Sequence, residues 1–334
     1  MLKSIGGKIL KYGGAFLLAT FVMNGICYFY YSPAIQVPNH ENYTAFRMQP
    51  SNHNIIGTEG YGSILIDENG FNNNNDFDFR DAKTLFVGSS QTFAEYVSTS
   101  ENFVALLNKK RSDVKAYNLG VSGSNFSTSF YRISPLIENF PNATTLVFEI
   151  RANMPSLEEL NEIDKVFKTE NVPEEDIDLK MENPITLLGR SMPLRRMLLK
   201  QYNDRKKEDT KQSQTDNNAS SFDAETYRTK LNEVLVEGAL RSEGRKIAIF
   251  FLPYFELQKD GTISASMSRE KEELFRQVCE EHNILYINME EPFMEAYHTR
   301  HILPYGFRNS LIGKGHLNPE GYAILAEEFA SKIK

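Results

Sequence analysis

Four loops of this chain carry groups that could together support ester chemistry at a serine hydroxyl. A short apolar run ends just before Ser90, and later apolar runs lead into loops that hold Gly123 and Asn153. His316 stands immediately before the last helical pattern. Parallel strands place their carboxyl ends, and the loops that follow them, at one edge of a sheet. We therefore expect these four residues to converge at one site.

The chemistry expected of such a site follows from the residue types. A serine hydroxyl is a weak nucleophile until a base such as histidine takes its proton. The oxyanion that forms on attack needs preorganised donors, which backbone N–H groups and an asparagine amide can supply. Taken singly, each residue also has a structural interpretation. Ser90 and His316 could cap helices, Gly123 could satisfy a turn, and Asn153 could be an ordinary loop residue.

The four segments resemble, in order, the sequence blocks of the SGNH hydrolases, also called GDSL-like esterases and lipases. The Gly-Ser-Ser-Gln-Thr block around Ser90 is similar to the family's Gly-Asp-Ser-x-Thr, and His316, followed by Leu-Asn-Pro, is similar to its last block. The resemblance runs from about residue 80 to residue 334 and does not include an insertion that interrupts this range. It implies that Ser90 is the nucleophile and His316 the catalytic histidine. It also implies an oxyanion hole formed by the N–H groups of Ser90 and Gly123 and the Asn153 side chain.

Five positions depart from the family's pattern. Ser89 stands where the family has Asp, and Ala94 where it has Gly. In the third block, usually Gly-x-Asn-Asp, Arg151 replaces the Gly and Met154 the Asp. The triad acid normally lies three residues before the histidine, and that position is Gly313. Losing the acid of a Ser-His-Asp triad costs about ten-thousand-fold in turnover in a serine protease. The sequence thus leaves a Ser-His dyad, with the Gly313 carbonyl orienting the His316 ring, or an acid from elsewhere in the chain.

Other polar residues near the predicted site have two interpretations each. Arg151 could bind an anionic substrate, or it could form an outward-facing salt bridge. His298 and His301 have a spacing that two metal ligands can use, but no third ligand is evident nearby, so no metal site is predicted. No cofactor is implied, because side chains and backbone amides supply every group that the chemistry needs.

Short apolar runs and helical patterns alternate along most of the chain, which predicts a parallel sheet covered by helices on both faces. We expect an α/β fold, a three-layer α/β/α sandwich with a five-stranded parallel sheet, flavodoxin-like and SGNH-type in outline. The five runs are 84–87, 114–117, 145–150, 246–252 and 284–287, and the helical patterns are 100–108, 127–138, 224–241, 268–282 and 319–333.

The N-terminal segment predicts a transmembrane helix. Residues 12–31 are twenty residues without a charge, long enough to cross the apolar core of a bilayer, about 30 Å thick. Lysines precede the stretch and an aromatic run ends it, which favours a cytoplasmic amino end and an extracytoplasmic main domain. A cleaved signal peptide and a buried core helix are the alternatives.

The predicted domain organisation has three parts. Residues 1–31 form the cytoplasmic tip and single-pass anchor, residues 32–83 a stalk and irregular lead-in, and residues 84–334 the SGNH-like domain. Residues 154–222 interrupt that domain as an insertion, which contains a basic-apolar helix around 188–202 and a polar linker. The insertion could be a lid, a partner-docking element or a tolerated surface excursion.

Composition bears on partners and on redox chemistry. The chain of 334 residues has a formal net charge of -7, so the basic surface that nucleic-acid binding requires is not indicated. Cys27 lies in the apolar N-terminal stretch, which leaves Cys279 alone in the folded part and allows no internal disulfide. We expect Cys279 to be a small buried apolar residue.

The resemblance and the predicted location together favour a membrane-anchored serine esterase or O-acyltransferase. Its substrate would be an acyl ester, above all acetyl, of a cell-envelope polysaccharide or glycolipid, and a membrane acyl-donor protein could be a further partner. The alternative class is a catalytically impaired binding or assembly subunit of a cell-envelope polysaccharide system. Gly313, Ser89 and the polar insertion favour it. A third interpretation is a protein that faces the cytoplasm and has a core N-terminal helix.

Overall fold

The chain begins with one long apolar helix. The computed structural model describes residues 2–173, 192–195, 197–199, 202, 222–310 and 312–333. Helix α1 spans Leu2–Tyr30. Its stretch Leu10–Tyr30 has a mean hydropathy of 1.4 and is only 6% buried. Among the described residues it is the one helix long and apolar enough to cross a membrane, and an N-terminal signal sequence would have the same properties.

Two small antiparallel sheets follow α1. Their strands are β1 Tyr31–Ser32, β2 Gln36–Pro38, β3 Phe46–Met48, β4 His53–Ile56 and β5 Gly62–Leu65. The first sheet has the order β1-β4-β5, and β2 pairs with β3. Ile56, Ile64 and Phe71 are buried in the same cluster as Leu85 of the following strand. In the predicted stalk and irregular lead-in, residues 32–83, the structure therefore has a segment packed against the main domain and not an extended stalk.

The core of the molecule is a five-stranded parallel sheet, as the alternation predicts. Its strands are β6 Thr84–Gly88, β7 Ala116–Gly120, β8 Thr145–Arg151, β9 Lys246–Leu252 and β12 Leu285–Asn288. Their spatial order is β12-β9-β8-β6-β7, so the first strand of the sheet lies between the second and the third. This order is the flavodoxin-like one, and it confirms the predicted fold class.

Helices cover both faces of the sheet and complete the three layers. Alternate residues of β6 point to opposite faces, so Leu85 and Val87 belong to one buried cluster and Phe86 to the other. Three helices cover the face of Phe86: α3 Phe103–Lys110, α9 Glu290–Arg300 and α10 Pro319–Lys332. Five helices cover the opposite face: α4 Phe126–Phe130, α5 Ile133–Asn139, α6 Leu157–Thr169, α7 Ala224–Arg241 and α8 Arg269–Glu281. A further helix, α2 Ser90–Phe93, follows β6 directly.

The predicted insertion lies partly outside the described residues. Its first part forms α6, whose buried residues Leu160, Ile163 and Phe167 repeat at helical spacing. Residues 193–195 and 197–199 of the predicted basic-apolar helix are helical, whereas the predicted linker 203–221 lies outside the described residues. A hairpin that the sequence pattern did not predict, β10 Tyr254–Leu257 paired with β11 Ile263–Ser266, follows β9.

Candidate active site

Ser90 lies just after the carboxyl end of β6, the inner strand between β8 and β7. Strand β6 ends at Gly88, and Ser89 caps the four-residue helix that begins at Ser90. Ser90 is 8% exposed, and its Oγ lies 2.9 Å from Nε2 of His316. The two residues that the sequence blocks single out, 226 positions apart, are therefore in hydrogen-bond contact.

A buried glutamate on the neighbouring strand β8 holds the backbone around the serine. Glu149 is 3% exposed and accepts hydrogen bonds from the N–H groups of Ser89, at 3.1 Å, and Thr92, at 2.9 Å. The hydroxyl groups of the same two residues also donate to its carboxylate. Ser89 thus contributes a donor to a carboxylate that comes from another strand. The sequence offered one signal for Glu149, a charged residue inside a run that is otherwise apolar.

The orientation of His316 decides between the two alternatives that the sequence left open. Nδ1 of His316 lies 2.9 Å from Oε2 of Glu59, and Oε1 of Glu59 accepts the backbone N–H of His316 at 2.8 Å. The partner of the ring is therefore an acid from elsewhere in the chain, which corrects the alternative of a Ser-His dyad oriented by the Gly313 carbonyl. Gly313 instead donates its N–H to the carbonyl of Tyr305 at 3.0 Å.

Glu59 lies in the turn between β4 and β5, residues 57–61, which we call the hairpin tip. Asn309 from the loop before His316 binds this tip on one side. Its amide donates to the carbonyls of Gly57, at 2.8 Å, and Gly60, at 3.0 Å, and its oxygen accepts the N–H of Gly60 at 2.7 Å. These three bonds fix the tip against the loop that carries His316. Sequence reasoning missed Glu59 because it lies 257 positions from His316, in a segment interpreted as irregular, and no spacing rule connects the two.

Gly315 makes the approach of Glu59 possible. Its φ is +89°, a conformation that favours glycine, and a Cβ at this position would overlap Oε1 of Glu59. The glycine before His316 therefore has a defined physical role, which is to leave room for a carboxylate against the histidine backbone.

Two further residues pack against the histidine loop. The Tyr96 ring lies 4.5 Å from the His316 ring, centroid to centroid, and burial raises the pKa of Tyr96, which keeps its hydroxyl neutral. Gln91, next to the serine, donates to the carbonyl of Gly315 at 3.3 Å and accepts the N–H of Leu317 at 3.0 Å. The turn that carries Ser90 and the loop that carries His316 are thus joined directly.

The residues predicted to form the oxyanion hole follow the two strands that flank β6. Gly123 lies in the turn after β7, is exposed and has a φ of +100°, and Asn153 is exposed two residues after β8. Strands β7 and β8 both pair in parallel with β6, so these residues lie at the same edge of the sheet as Ser90. Their role as donors stays a prediction.

Arg151 and Ala94 also differ from the family's blocks, and the structure gives each a local setting. Nε of Arg151 lies 3.8 Å from Oε1 of Glu149, whose side chain is 2% exposed, so its ion pair is with a buried carboxylate and not outward-facing. Substrate binding by Arg151 stays a prediction. Ala94 ends α2 with a φ of 59° and is fully buried. This left-handed conformation disfavours a side chain and explains why a glycine suits that position.

Solved structures similar to this chain are lipolytic proteins and esterases. An esterase, EstA from Pseudoalteromonas sp., matches with 14% identity over 75% of this chain and 96% of its own, at a TM-score of 0.39. A lipolytic protein of the G-D-S-L family from Veillonella parvula matches with 15% identity over 75% and 97%, at 0.38. An acetyl xylan esterase, AlAXEase, matches with 13% identity over 75% and 100%, at 0.38. No family model and no curated protein matches the chain.

The arrangement of the three polar side chains sets the protonation pattern of the histidine. A carboxylate only accepts hydrogen bonds, so Glu59 favours the tautomer of His316 that carries its proton on Nδ1. Nε2 then presents a lone pair to the Ser90 hydroxyl, 2.9 Å away. The described residues can therefore transfer a proton from serine to histidine and stabilise the imidazolium that results.

Proposed function

We propose that this chain is a membrane-anchored serine esterase or O-acyltransferase whose main domain lies outside the cytoplasm. The observation that supports an enzyme is the hydrogen-bonded series Glu59, His316 and Ser90, with 2.9 Å at each step. In this proposal α1 is the anchor, because its stretch Leu10–Tyr30 is long and apolar enough to cross a bilayer.

The first half of the reaction forms an acyl-serine. Oγ of Ser90 attacks the ester carbonyl carbon while Nε2 of His316 takes the hydroxyl proton. The N–H groups of Ser90 and Gly123 and the amide of Asn153 hold the oxyanion. The tetrahedral intermediate then collapses, the C–O bond of the ester breaks, and His316 returns the proton to the departing alcohol. Glu59 stabilises the imidazolium that exists between these two proton transfers.

The second half determines the type of enzyme. Water attacking the acyl-serine gives hydrolysis, whereas a sugar hydroxyl gives transfer of the acyl group. The substrate class that we propose, acyl and above all acetyl esters of a cell-envelope polysaccharide or glycolipid, rests on the extracytoplasmic placement and on the sequence resemblance. A membrane protein that supplies the acyl group would be the partner of the transferase form.

The rival proposal is a catalytically impaired binding or assembly subunit of a cell-envelope polysaccharide system. Its main support was the missing acid at Gly313, and the carboxylate of Glu59 against His316 removes that support. The replacement of the usual Asp by Ser89 remains in its favour, although this hydroxyl donates to Glu149 and so takes part in the turn.

Covalent labelling of the full-length chain in detergent by a fluorophosphonate probe tests the proposal. We expect stoichiometric labelling of the wild type, none of Ser90→Ala, and a loss of at least about 100-fold in rate for His316→Ala, since a general base contributes about 10²–10⁴-fold. Ser331→Ala and His298→Ala, at exposed positions on α10 and α9, are the matched controls. A folded wild type that does not react would establish the binding subunit instead.

Two further measurements test the finer parts of the proposal. Acetylated polysaccharide supplied with and without a sugar acceptor separates hydrolysis, which releases acetate, from transfer, which forms a new ester. A topology reporter fused after the last residue tests location, because a reporter active on the cytoplasmic side would contradict the extracytoplasmic placement.

A further inference from the structure

The carboxyl end of α1 is connected to the hairpin that carries Glu59. The chain passes from α1 directly into β1, and β1 pairs with β4 through Tyr31 opposite Ile56 and Ser32 opposite Ile55. Strand β4 then leads into the hairpin tip. The helix and the acid of the site are therefore connected through one short strand pair.

Two hydrogen bonds join the hairpin tip to the last turn of the helix. The N–H of Gly57 donates to the carbonyl of Tyr30 at 2.8 Å, and the hydroxyl of Tyr61 donates to the carbonyl of Phe29 at 3.2 Å. The carbonyls at the end of a helix have no partner within the helix itself. The tip thus satisfies two carbonyls that α1 would otherwise leave to solvent.

The contact at Gly57 is also sterically close. A Cβ at this position would lie 3.0 Å from the carbonyl oxygen and the ring of Tyr30, which is tighter than an ordinary contact. Cys27, one turn before the end of the helix, is 3% exposed, whereas the side chains of Phe21 and Ile26 are 79% and 58% exposed. The side of the last turn that carries Cys27 therefore packs on protein, whereas the side chains of Tyr28, Phe29 and Tyr30 remain 44%, 67% and 43% exposed.

Glu59 lies between the two bonded positions. Gly57 and Tyr61 attach the hairpin tip to α1, and Asn309 attaches it to the histidine loop on the other side. A shift of the tip away from either support would move the carboxylate relative to Nδ1 of His316. A misplacement of about 1 Å in a catalytic arrangement can cost about 100-fold in rate.

We propose that the carboxyl end of α1, through the Tyr30 carbonyl and Gly57, positions Glu59 against His316, so that the serine site is fully competent only while α1 stays attached and docked. The inference rests on the proposed function, in which Glu59 assists His316. It assigns to α1 a role in the site in addition to anchoring, and it predicts that removal of α1, as a signal sequence is removed, would weaken the site.

The test uses the full-length chain in detergent and the variant Gly57→Ala, which pushes the tip away from Tyr30. We expect the rate of fluorophosphonate labelling at Ser90 to fall about 10- to 100-fold. The matched control is Gly25→Ala, in the same helix, where a Cβ meets no atom within 4 Å.

A double variant separates positioning from a general loss of structure. If Gly57 acts through Glu59, Gly57→Ala combined with Glu59→Gln should label at the rate of Glu59→Gln alone. Losses that multiply would overturn the inference, and so would a Gly57→Ala protein that labels at the wild-type rate. Tyr61→Phe, which removes only the bond to Phe29, provides a milder variant with an expected loss of about 2- to 10-fold if Gly57→Ala does not fold.

A spectroscopic signal keeps this test distinct from the test of the proposed function. The proton that Nδ1 of His316 donates to Glu59 should give a low-field NMR resonance that disappears in Glu59→Gln. Weakening of this resonance by Gly57→Ala supports the positioning role even if the wild type does not react with the probe. A resonance that Gly57→Ala leaves unchanged overturns the inference, whether or not Ser90 is reactive.

Discussion

Two carboxylates approach the serine site, and they differ in where they come from and what they bind. The side chain of Glu149 is 2% exposed, comes from the centre of the sheet and accepts hydrogen bonds from the backbone and hydroxyl groups of Ser89 and Thr92. The side chain of Glu59 is 20% exposed, comes from an N-terminal hairpin and binds the ring and backbone of His316. The first therefore supports the shape of a turn, and the second supports the group that moves a proton.

Glu59→Gln should separate the two roles most strongly. The side-chain amide introduced by this substitution cannot accept hydrogen bonds from both the backbone N–H and the Nδ1–H of His316. The amide oxygen would keep the bond to the backbone N–H, and the amide NH₂ would face Nδ1 and force the ring proton onto Nε2. That tautomer cannot take the serine proton, and the corresponding change in a serine protease costs about 10⁴-fold. We expect a loss of about that size in the rate of Ser90 labelling, with a change in the free energy of unfolding below about 1 kcal/mol.

Glu68→Gln, an exposed position in the same N-terminal region, is the control and should label like the wild type. Retention of more than about a tenth of the wild-type rate by Glu59→Gln would show that another group orients His316.

Glu149→Met should have the opposite profile, with its main effect on stability. The apolar side chain leaves the N–H groups of Ser89 and Thr92 buried without an acceptor, and each such donor costs about 1–3 kcal/mol. We therefore expect the free energy of unfolding, measured in urea, to fall by about 2–5 kcal/mol. Glu149→Gln, whose carbonyl oxygen can still accept both N–H groups, should lose clearly less, and equal losses in the two variants would contradict the structural role.

The reactivity of Cys279 reports whether the Glu149 and Glu59 variants differ in stability. It is fully buried in α8, and burial raises the pKa of its thiol, so the reactive thiolate is disfavoured in the folded chain at neutral and mildly alkaline pH. Iodoacetamide at pH 8 should modify it only when the domain unfolds. We expect Cys279 to be modified faster in Glu149→Met than in the wild type, and at the wild-type rate in Glu59→Gln. Mass spectrometry of the peptide that contains Cys279 measures both rates. Rapid modification of the folded wild type would show that α8 opens locally.

The sheet could be predicted because its signals are local. The run at 246–252 and the helical pattern at 224–241 match β9 and α7 at both ends. Strand β7 begins two residues later than predicted, since Lys115 adopts a left-handed conformation that ends the preceding turn. The pattern at 127–138 divides into two helices around Tyr131 and Arg132, and nothing in its apolar spacing marks that break.

The residues of the site also differ in how far the local sequence could predict them. Ser90 and His316 each stand in a block of neighbouring residues that can be recognised, and the structure brings them into contact. Glu59 has no such block, and its contact depends on the docking of a hairpin whose strands are only four residues each. Contacts of this kind depend on tertiary packing, which local pattern does not encode.

The order of the three side chains along the chain has a consequence for how the protein is made. Glu59 is synthesised early, Ser90 follows, and His316 comes 226 residues after the serine in a chain of 334. A ribosome that adds about 5–20 residues per second needs on the order of 10–50 s to pass from the serine to the histidine. Throughout that interval the Ser90 hydroxyl exists without its histidine partner. A nascent chain, or a fragment truncated before His316, therefore carries a serine that no histidine can activate.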